Sequence, residues 1–338
     1  MGKKRICFDK EIPSLFVVAS PFQVLCAYEA IQEFEIKDYS IIAVYDKGDP
    51  RTPQLFSTLD FWGLKYQKFC NYPHVQTKEL LKLMFCLGAP KGGQFKRAFI
   101  GDFRNIICIE LALKCLHAGS SIVYLDDGNA SIDYLRGLYR ITKREKLFSL
   151  LFNAIAFVRR IYLEPVYYTI FSDIPSKFLY KENALTTLKA NVSIEPQNGI
   201  FFIGTNPDGY CNDQNISLNQ YFICLEKVLN ELRGKNPFAN RFYVFHGRDS
   251  YVDKTNEILE KFEFKALRLN EIVEMYFARN KIHPLVVAGF MSSALYTINL
   301  MCPKTEVVGY MQEGNQSYAN ICDYYRKHGI EIKYLEKT

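Results

Sequence analysis

The chain has 338 residues, 49% of them hydrophobic and 23% charged, with a net charge of +6. This balance suits a folded chain with a substantial core and excludes global disorder, and the positive excess is too small to argue for nucleic acid as a partner. No apolar stretch reaches the roughly 18 residues that a membrane-crossing helix needs, and the ten cysteines sit singly, without a C-x-x-C pair or a histidine at zinc spacing, which predicts a reducing, cytoplasmic setting.

From the N-terminus, the basic opening MGKKRICFDKEIPSLFVVAS has too short an apolar run for a cleaved leader and reads as the approach to a first buried strand. Strands are predicted over 14–19, 40–45, 97–100 and 121–125, with amphipathic helices over 21–33, 77–87 and 103–117 between them. In the last helix Ile106, Ile107, Leu111 and Leu113 recur at about helical spacing. Such alternation predicts a parallel sheet covered by helices.

The middle differs. Residues 147–158, LFSLLFNAIAFV, are nearly all apolar, with Lys143–Lys146 before them and Arg159 and Arg160 after. Twelve residues cannot cross a bilayer as a helix, so the segment reads as a buried or interdomain helix, or as one lying on an anionic lipid surface. A second alternating block follows. Strands are predicted over 200–204, 241–245, 285–288 and 305–310, and helices over 218–233, 254–262, 269–278, 292–301 and 317–328.

Open α/β sheets bind ligands beyond the carboxyl ends of their strands, so residues just after strands carry the information. The sharpest junction is Asp126-Asp127-Gly128-Asn129. Two adjacent carboxylates at a strand end repel, which raises the pKa of one if both are desolvated and poises a general base. The same residues also read as a turn with an Asp cap. His246-Gly247-Arg248 follows a second-block strand. There the imidazole can donate to a phosphate, the glycine permits close backbone approach, and the guanidinium can clamp an anion. A turn with a solvated arginine is the plainer account. Ser292 and Ser293 open a helix, where N–H groups and the dipole favour an anion, although one serine would suffice as a cap. Weaker junctions of the same kind are Gly204-Thr205-Asn206, Ser20-Pro21-Phe22-Gln23 and Asp102-Phe103-Arg104. His283 precedes its strand and lies at the wrong end for this chemistry. No D-x-D or H-x-H pair suggests a metal.

Taken together, Asp126-Asp127-Gly128, His246-Gly247, Ser292-Ser293 and the opening Ser20-Pro21-Phe22-Gln23 resemble, in order and spacing, the motifs of bacterial sialyltransferases of glycosyltransferase family 52 and of the related polysialyltransferases. One position departs: Gly247 stands where that family has proline. The resemblance implies an α/β protein of GT-B fold, with two Rossmann-like domains facing each other across a cleft. Residues 1–165 would form the acceptor-side domain with the catalytic base, 166–197 a linker, and 198–338 the donor domain. It implies an inverting transfer of sialic acid or a related nonulosonic acid from a CMP-activated donor to a glycan acceptor in capsule or lipooligosaccharide. Asp126, or else Asp127, would be the base. His246 would serve the departing phosphate, with Gly204, Thr205, Asn206, Gly247, Arg248, Ser292 and Ser293 holding the donor. Ser20, Gln23, Asp102, Arg104 and Asn129 would meet the acceptor. The resemblance also implies no metal and no other cofactor, because His and hydroxyl donors stand in for a cation at the phosphate. Peripheral contact with an anionic membrane on the cytoplasmic side and a homodimer are compatible with it. Two other functions fit the same residues: a GT-B transferase or epimerase using a UDP- or GDP-sugar, and a catalytically silent sugar-nucleotide-binding scaffold.

Overall fold

A computed structural model describes residues 9–71, 93–102, 104–135, 143–158, 161–173, 179–314 and 318–336. The chain divides into two compact units, Met1–Thr186 and Thr187–Thr338.

In the first unit the order is β1 (Ser14–Val18), α1 (Pro21–Glu33), β2 (Tyr39–Asp46), α2 (Thr52–Phe61), β3 (Tyr66–Asn71), β4 (Phe95–Ile100), α3 (Ile106–Cys115), β5 (Leu116–Tyr124), α4 (Ala130–Leu135), α5 (Lys143–Val158), β6 (Tyr162–Thr169) and β7 (Leu179–Glu182). The seven strands form one parallel sheet, ordered β3-β2-β1-β4-β5-β6-β7. β1 is a continuous apolar run because both its faces are covered. Phe16 and Val18 pack with Val24, Ala27 and Ile31 of α1, while Leu15 and Val17 pack with Cys108 and Ala112 of α3 and Ile155 of α5. The order in which strands are added reverses between β1 and β4, the switch point at which an open parallel sheet leaves a crevice at the carboxyl ends of its strands.

The predicted helix over 77–87 lies outside the described residues, as do Arg159 and Arg160. α5 buries Ile155 and Ala156 and leaves Leu150 67% and Phe157 84% exposed. Among the described residues no helix is long and apolar enough to cross a membrane. The stretch 166–197, expected as a linker, is itself structured. It holds the end of β6, all of β7 and a short helix, α6 (Thr186–Asn191), and both strands belong to the first sheet. β6 escapes prediction because Pro165 interrupts its pattern. The pairing with β5 slips there, from Ser121 opposite Tyr162 to Val123 opposite Val166, which accommodates a residue without an N–H.

The second unit runs β8 (Gln197–Ile203), α7 (Pro207–Gln214), α8 (Leu218–Lys235), β9 (Asn240–Val244), α9 (Val252–Lys261), β10 (Lys265–Leu267), α10 (Val273–Arg279), β11 (Pro284–Phe290), α11 (Ser293–Met301), β12 (Glu306–Gln312), α12 (Ala319–Lys327) and β13 (Glu331–Leu335). Its parallel sheet is ordered β10-β9-β8-β11-β12-β13, with the reversal between β8 and β11. α8 starts on a capping box: the Gln220 N–H donates to Ser217 Oγ at 3.2 Å and the Ser217 N–H to Gln220 Oε1 at 2.8 Å. Its Tyr221, Leu225, Val228 and Leu232 then fill the core with Ile200 and Phe202 of β8. Gly289 has to be glycine, because a Cβ would sit 2.8 Å from the Ile203 carbonyl oxygen of the neighbouring strand. The eight cysteines among the described residues are all free thiols.

Candidate functional site

In the first unit the ends of β1, β2, β4 and β5 surround a cavity of about 260 Å³. β5 delivers the two acids in opposite directions. Asp126 turns inward and is 1% exposed. Its Oδ1 accepts from Thr169 Oγ1 at 2.7 Å and its Oδ2 from the Ile170 N–H at 2.7 Å, both at the end of β6. Burial pushes this carboxyl up to about 7, against the pull of its hydrogen bonds. Asp127 turns outward, its side chain 18% exposed, and lines the cavity. Its Oδ1 accepts from Gln23 Nε2 at 2.7 Å, its Oδ2 is paired with Arg104 Nη2, and its N–H donates to Ser131 Oγ at 2.8 Å. Its pKa is also raised, first by burial and then by the neighbouring Asp102 charge, while Arg104 and Gln23 oppose the rise.

The two acids are thus placed differently from one another. Asp126, the preferred base, has both oxygens held in the interior, whereas Asp127 is the carboxylate that faces the cavity. Burial, rather than mutual repulsion of the pair, is the leading cause of both shifts.

Gln23 is the joint of this site. It is buried, its Oε1 accepts from the Ala19 N–H at 2.7 Å at the end of β1, and its amide then reaches Asp127. It can lie there because residue 101 is glycine; a Cβ at Gly101 would stand 2.2 Å from Gln23 Oε1. Ser20 also lines the cavity, and its hydroxyl caps α1 by accepting from the Gln23 N–H at 3.3 Å. Asp102 holds Arg104 through the backbone N–H at 2.9 Å and Nε at 3.2 Å, and both residues line the cavity. Asn129, expected with them, sits at the start of α4 and is not part of the cavity wall.

Sequence reasoning missed another part of the wall, Asp46 at the end of β2 with Asp49, Arg51 and Thr52 after it. The strand-end rule applied to β2, followed by the polar run Asp46-Lys47-Gly48-Asp49-Pro50-Arg51-Thr52, would have found it.

In the second unit the expected donor residues also stand at strand ends. Gly204 follows β8; a Cβ there would meet the Val244 carbonyl oxygen and Tyr243 Oη, each at 2.8 Å. Thr205 and Asn206, both half-buried, lead into α7. His246 follows β9 and is half-buried; Gly247 and Arg248 are exposed. The Arg248 N–H donates to His246 Nδ1 at 3.1 Å. An accepting Nδ1 leaves the neutral ring's proton on Nε2, so the other side of the imidazole is a donor. Ser292 is the cap of α11, its Oγ accepting from the Ala294 N–H at 3.3 Å and its carbonyl from Tyr325 Oη at 3.0 Å. A hydroxyl that accepts one bond still has its own O–H to donate. Ser293 is the first residue of the helix, half-buried. Met291, just before the pair, is turned to φ +21°.

His283 stands at the amino end of β11, as expected, buried with Nδ1 donating to the Ser193 carbonyl at 2.8 Å. Among the described residues no three His, Cys, Asp or Glu side chains are grouped as metal ligands.

No family model and no characterised protein sequence matches the chain. Solved structures do. A protein described as a UDP-N-acetylglucosamine 2-epimerase from Listeria monocytogenes is similar at 10% identity and a TM-score of 0.58, over 88% of this chain and 79% of that one. A second UDP-N-acetylglucosamine 2-epimerase is similar at 9% identity and a TM-score of 0.54, over 97% and 84%. A Photobacterium 2,6-sialyltransferase, solved in a ternary complex with CMP and lactose, is similar at 13% identity and a TM-score of 0.52, over 95% and 78%. Likeness at such identities is likeness of fold, and with its two parallel α/β sheets in two units this chain has the GT-B fold.

Proposed function

We propose that the chain is an inverting glycosyltransferase that moves sialic acid or a related nonulosonic acid from a CMP-activated donor to a hydroxyl of a glycan acceptor. The observation that carries this reading is Asp127, a carboxylate of raised pKa that faces a polar cavity at the strand ends and is held there by Gln23 and Arg104. In this reading the first unit binds the acceptor and the second the donor. The acceptor O–H gives its proton to Asp127 as its oxygen attacks the anomeric carbon. The bond from that carbon to the phosphate oxygen breaks, and CMP leaves. His246 Nε2–H donates to the departing phosphate, with the Ser292 and Ser293 hydroxyls and the α11 N-terminus holding its charge. The sialyltransferase family supplies this assignment of roles, and the fold shared with the Photobacterium enzyme supports it. Gly247 bears on the donor. Without the ring of a proline the His246 turn keeps more backbone freedom.

A second reading is favoured by the fold likeness to UDP-N-acetylglucosamine 2-epimerases: chemistry on a UDP-sugar. Thermal unfolding with nucleotides separates the two. CMP or CDP at about a hundred times its Kd is expected to stabilise the second unit by about 2.7 kcal/mol, a rise of several degrees in Tm. Stabilisation by UDP or GDP with no response to CMP or CDP would overturn the CMP assignment.

Peripheral association with an anionic membrane is part of the same proposal. It rests on the exposed Leu150 and Phe157 of α5, the basic residues Lys143, Arg144 and Lys146 at its start in sequence, and Arg159 and Arg160 just after it. Failure to sediment with phosphatidylserine-containing vesicles at low salt would remove it.

A further inference from the structure

We propose that the cavity of the first unit takes the uncharged, hydroxyl-rich end of a sugar chain and refuses an end that bears a carboxylate, and that the end of β2 and the loop after it, with Asp46, Asp49 and Arg51, make the choice. This deepens the transferase reading and rests on it for the identity of the cavity as the acceptor side.

Four carboxylates, those of Asp46, Asp49, Asp102 and Asp127, face two guanidinium groups, those of Arg51 and Arg104. The cavity therefore carries a net negative charge, although the chain as a whole is at +6. Both cations are already engaged. Arg104 is forked between Asp102 and Asp127. Arg51 meets Asp49 through Nε at 3.4 Å and Nη2 at 3.2 Å, and through its own backbone N–H at 2.9 Å. An incoming carboxylate would have to compete for a guanidinium that a protein carboxylate already occupies, in a field of its own sign. Sugar hydroxyls meet no such obstacle. They donate to carboxylate oxygens, each of which can accept more than one hydrogen bond, and they accept from guanidinium N–H groups.

A buried group beneath the cavity feels the same field. The thiol of Cys108 is pushed well up, by burial first and then by Asp102, Asp127 and Asp46. The size agrees as well. At about 260 Å³ the space lies below the roughly 300–1,000 Å³ of pockets for drug-sized ligands, which suits a single small ring.

One consequence follows for the product. When the transferred sugar is a nonulosonic acid, the new chain end bears a carboxylate, and the cavity rejects it as the next acceptor. The enzyme adds one residue and stops.

The test uses the full chain without any donor. Saturation-transfer NMR titrations compare galactose and glucose with galacturonate and glucuronate, rings that differ only in the carboxylate at C6. The neutral sugars are expected to bind at least tenfold more tightly. Asp49→Asn takes away the carboxylate that occupies Arg51 and is expected to raise uronate binding and narrow the gap by about tenfold. Asp46→Asn, a second variant at an exposed position, narrows it less, and Asp60→Asn on α2 leaves it unchanged. Uronates binding as well as neutral sugars, saturation of neither class, or the same preference in a folded Asp49→Asn and a folded Asp46→Asn would each overturn the proposal. Failure of the transferase reading looks different: no nucleotide response and no transfer, with the preference for neutral sugars intact.

Discussion

Asp127→Asn is expected to lower transfer by about 10²- to 10⁴-fold, the usual contribution of a positioned general base, while Asp126→Asn keeps activity within about tenfold of the unaltered chain. The two acids are neighbours in sequence but differ in what surrounds them. Asp127 faces the cavity, and its amide replacement still accepts from Gln23 while it can no longer take a proton. Asp126 is closed off, with both oxygens accepting from the end of β6. An asparagine there can keep its oxygen toward the Ile170 N–H and turn its NH₂ toward Thr169 Oγ1, whose hydroxyl can rotate to accept. Because the pKa of Asp127 is raised, the acid limb of the rate profile should lie above the ordinary carboxylate value, and Asp127→Asn should abolish that limb. Steady-state rates over pH for the two variants decide the matter, with nucleotide-induced stabilisation as the check that the second unit is intact. Equal losses in both variants, or full activity in Asp127→Asn, would remove Asp127 from the role of base.

The second large effect is on stability. Asp126 titrates near 7 in the folded chain against an ordinary value of 3.8. Below about pH 4 the folded and unfolded states both hold the proton. Between about 4 and 7 the unfolded state has lost it and the folded state keeps it, so the unfolded state binds fewer protons and stability falls as pH rises through this window. Above 7 the folded chain has to carry a buried charge, at a total cost on the order of 4 kcal/mol. Asp126→Asn has no proton to lose. Urea unfolding of the first unit at pH 4 and pH 8 should show the variant gaining several kcal/mol on the unaltered chain between the two. The comparison has to be a difference, because Glu274 of α10 is also buried and held up to about 7, and it adds a slope of the same sign in the second unit. A constant gap between variant and parent from pH 4 to pH 8 would mean that Asp126 is ionised throughout. Asp126→Ala has no proton to lose either, but it strands two buried donors and should lie below Asp126→Asn at every pH, by about 1–3 kcal/mol for each donor.

Local pattern was enough for much of this protein. Alternation of short β-rich runs with helical spacing specifies two parallel sheets, because each strand needs both faces covered and each helix one. The rule that ligands gather beyond the carboxyl ends of such strands led from sequence to Ser20, Gln23, Asp102, Arg104 and the acid pair in one unit. In the other it led to Gly204, His246 and Ser292. Those readings depend only on residues close together in the chain.

What needed the tertiary structure was direction. Which of two adjacent acids turns inward depends on the strand that lies beside them. That strand, β6, was hidden by Pro165, and its Thr169 and Ile170 lie more than forty residues away in the chain. The wall built by Asp49 and Arg51 likewise belongs to the cavity only because β2 lies next to β1 in the sheet, a pairing that no local spacing encodes. Residue identity and spacing determine where polar groups are offered. The order of strands across a sheet determines which of them are sealed in the interior and which meet a ligand, because burial and hydrogen-bond partners come from neighbours distant in sequence.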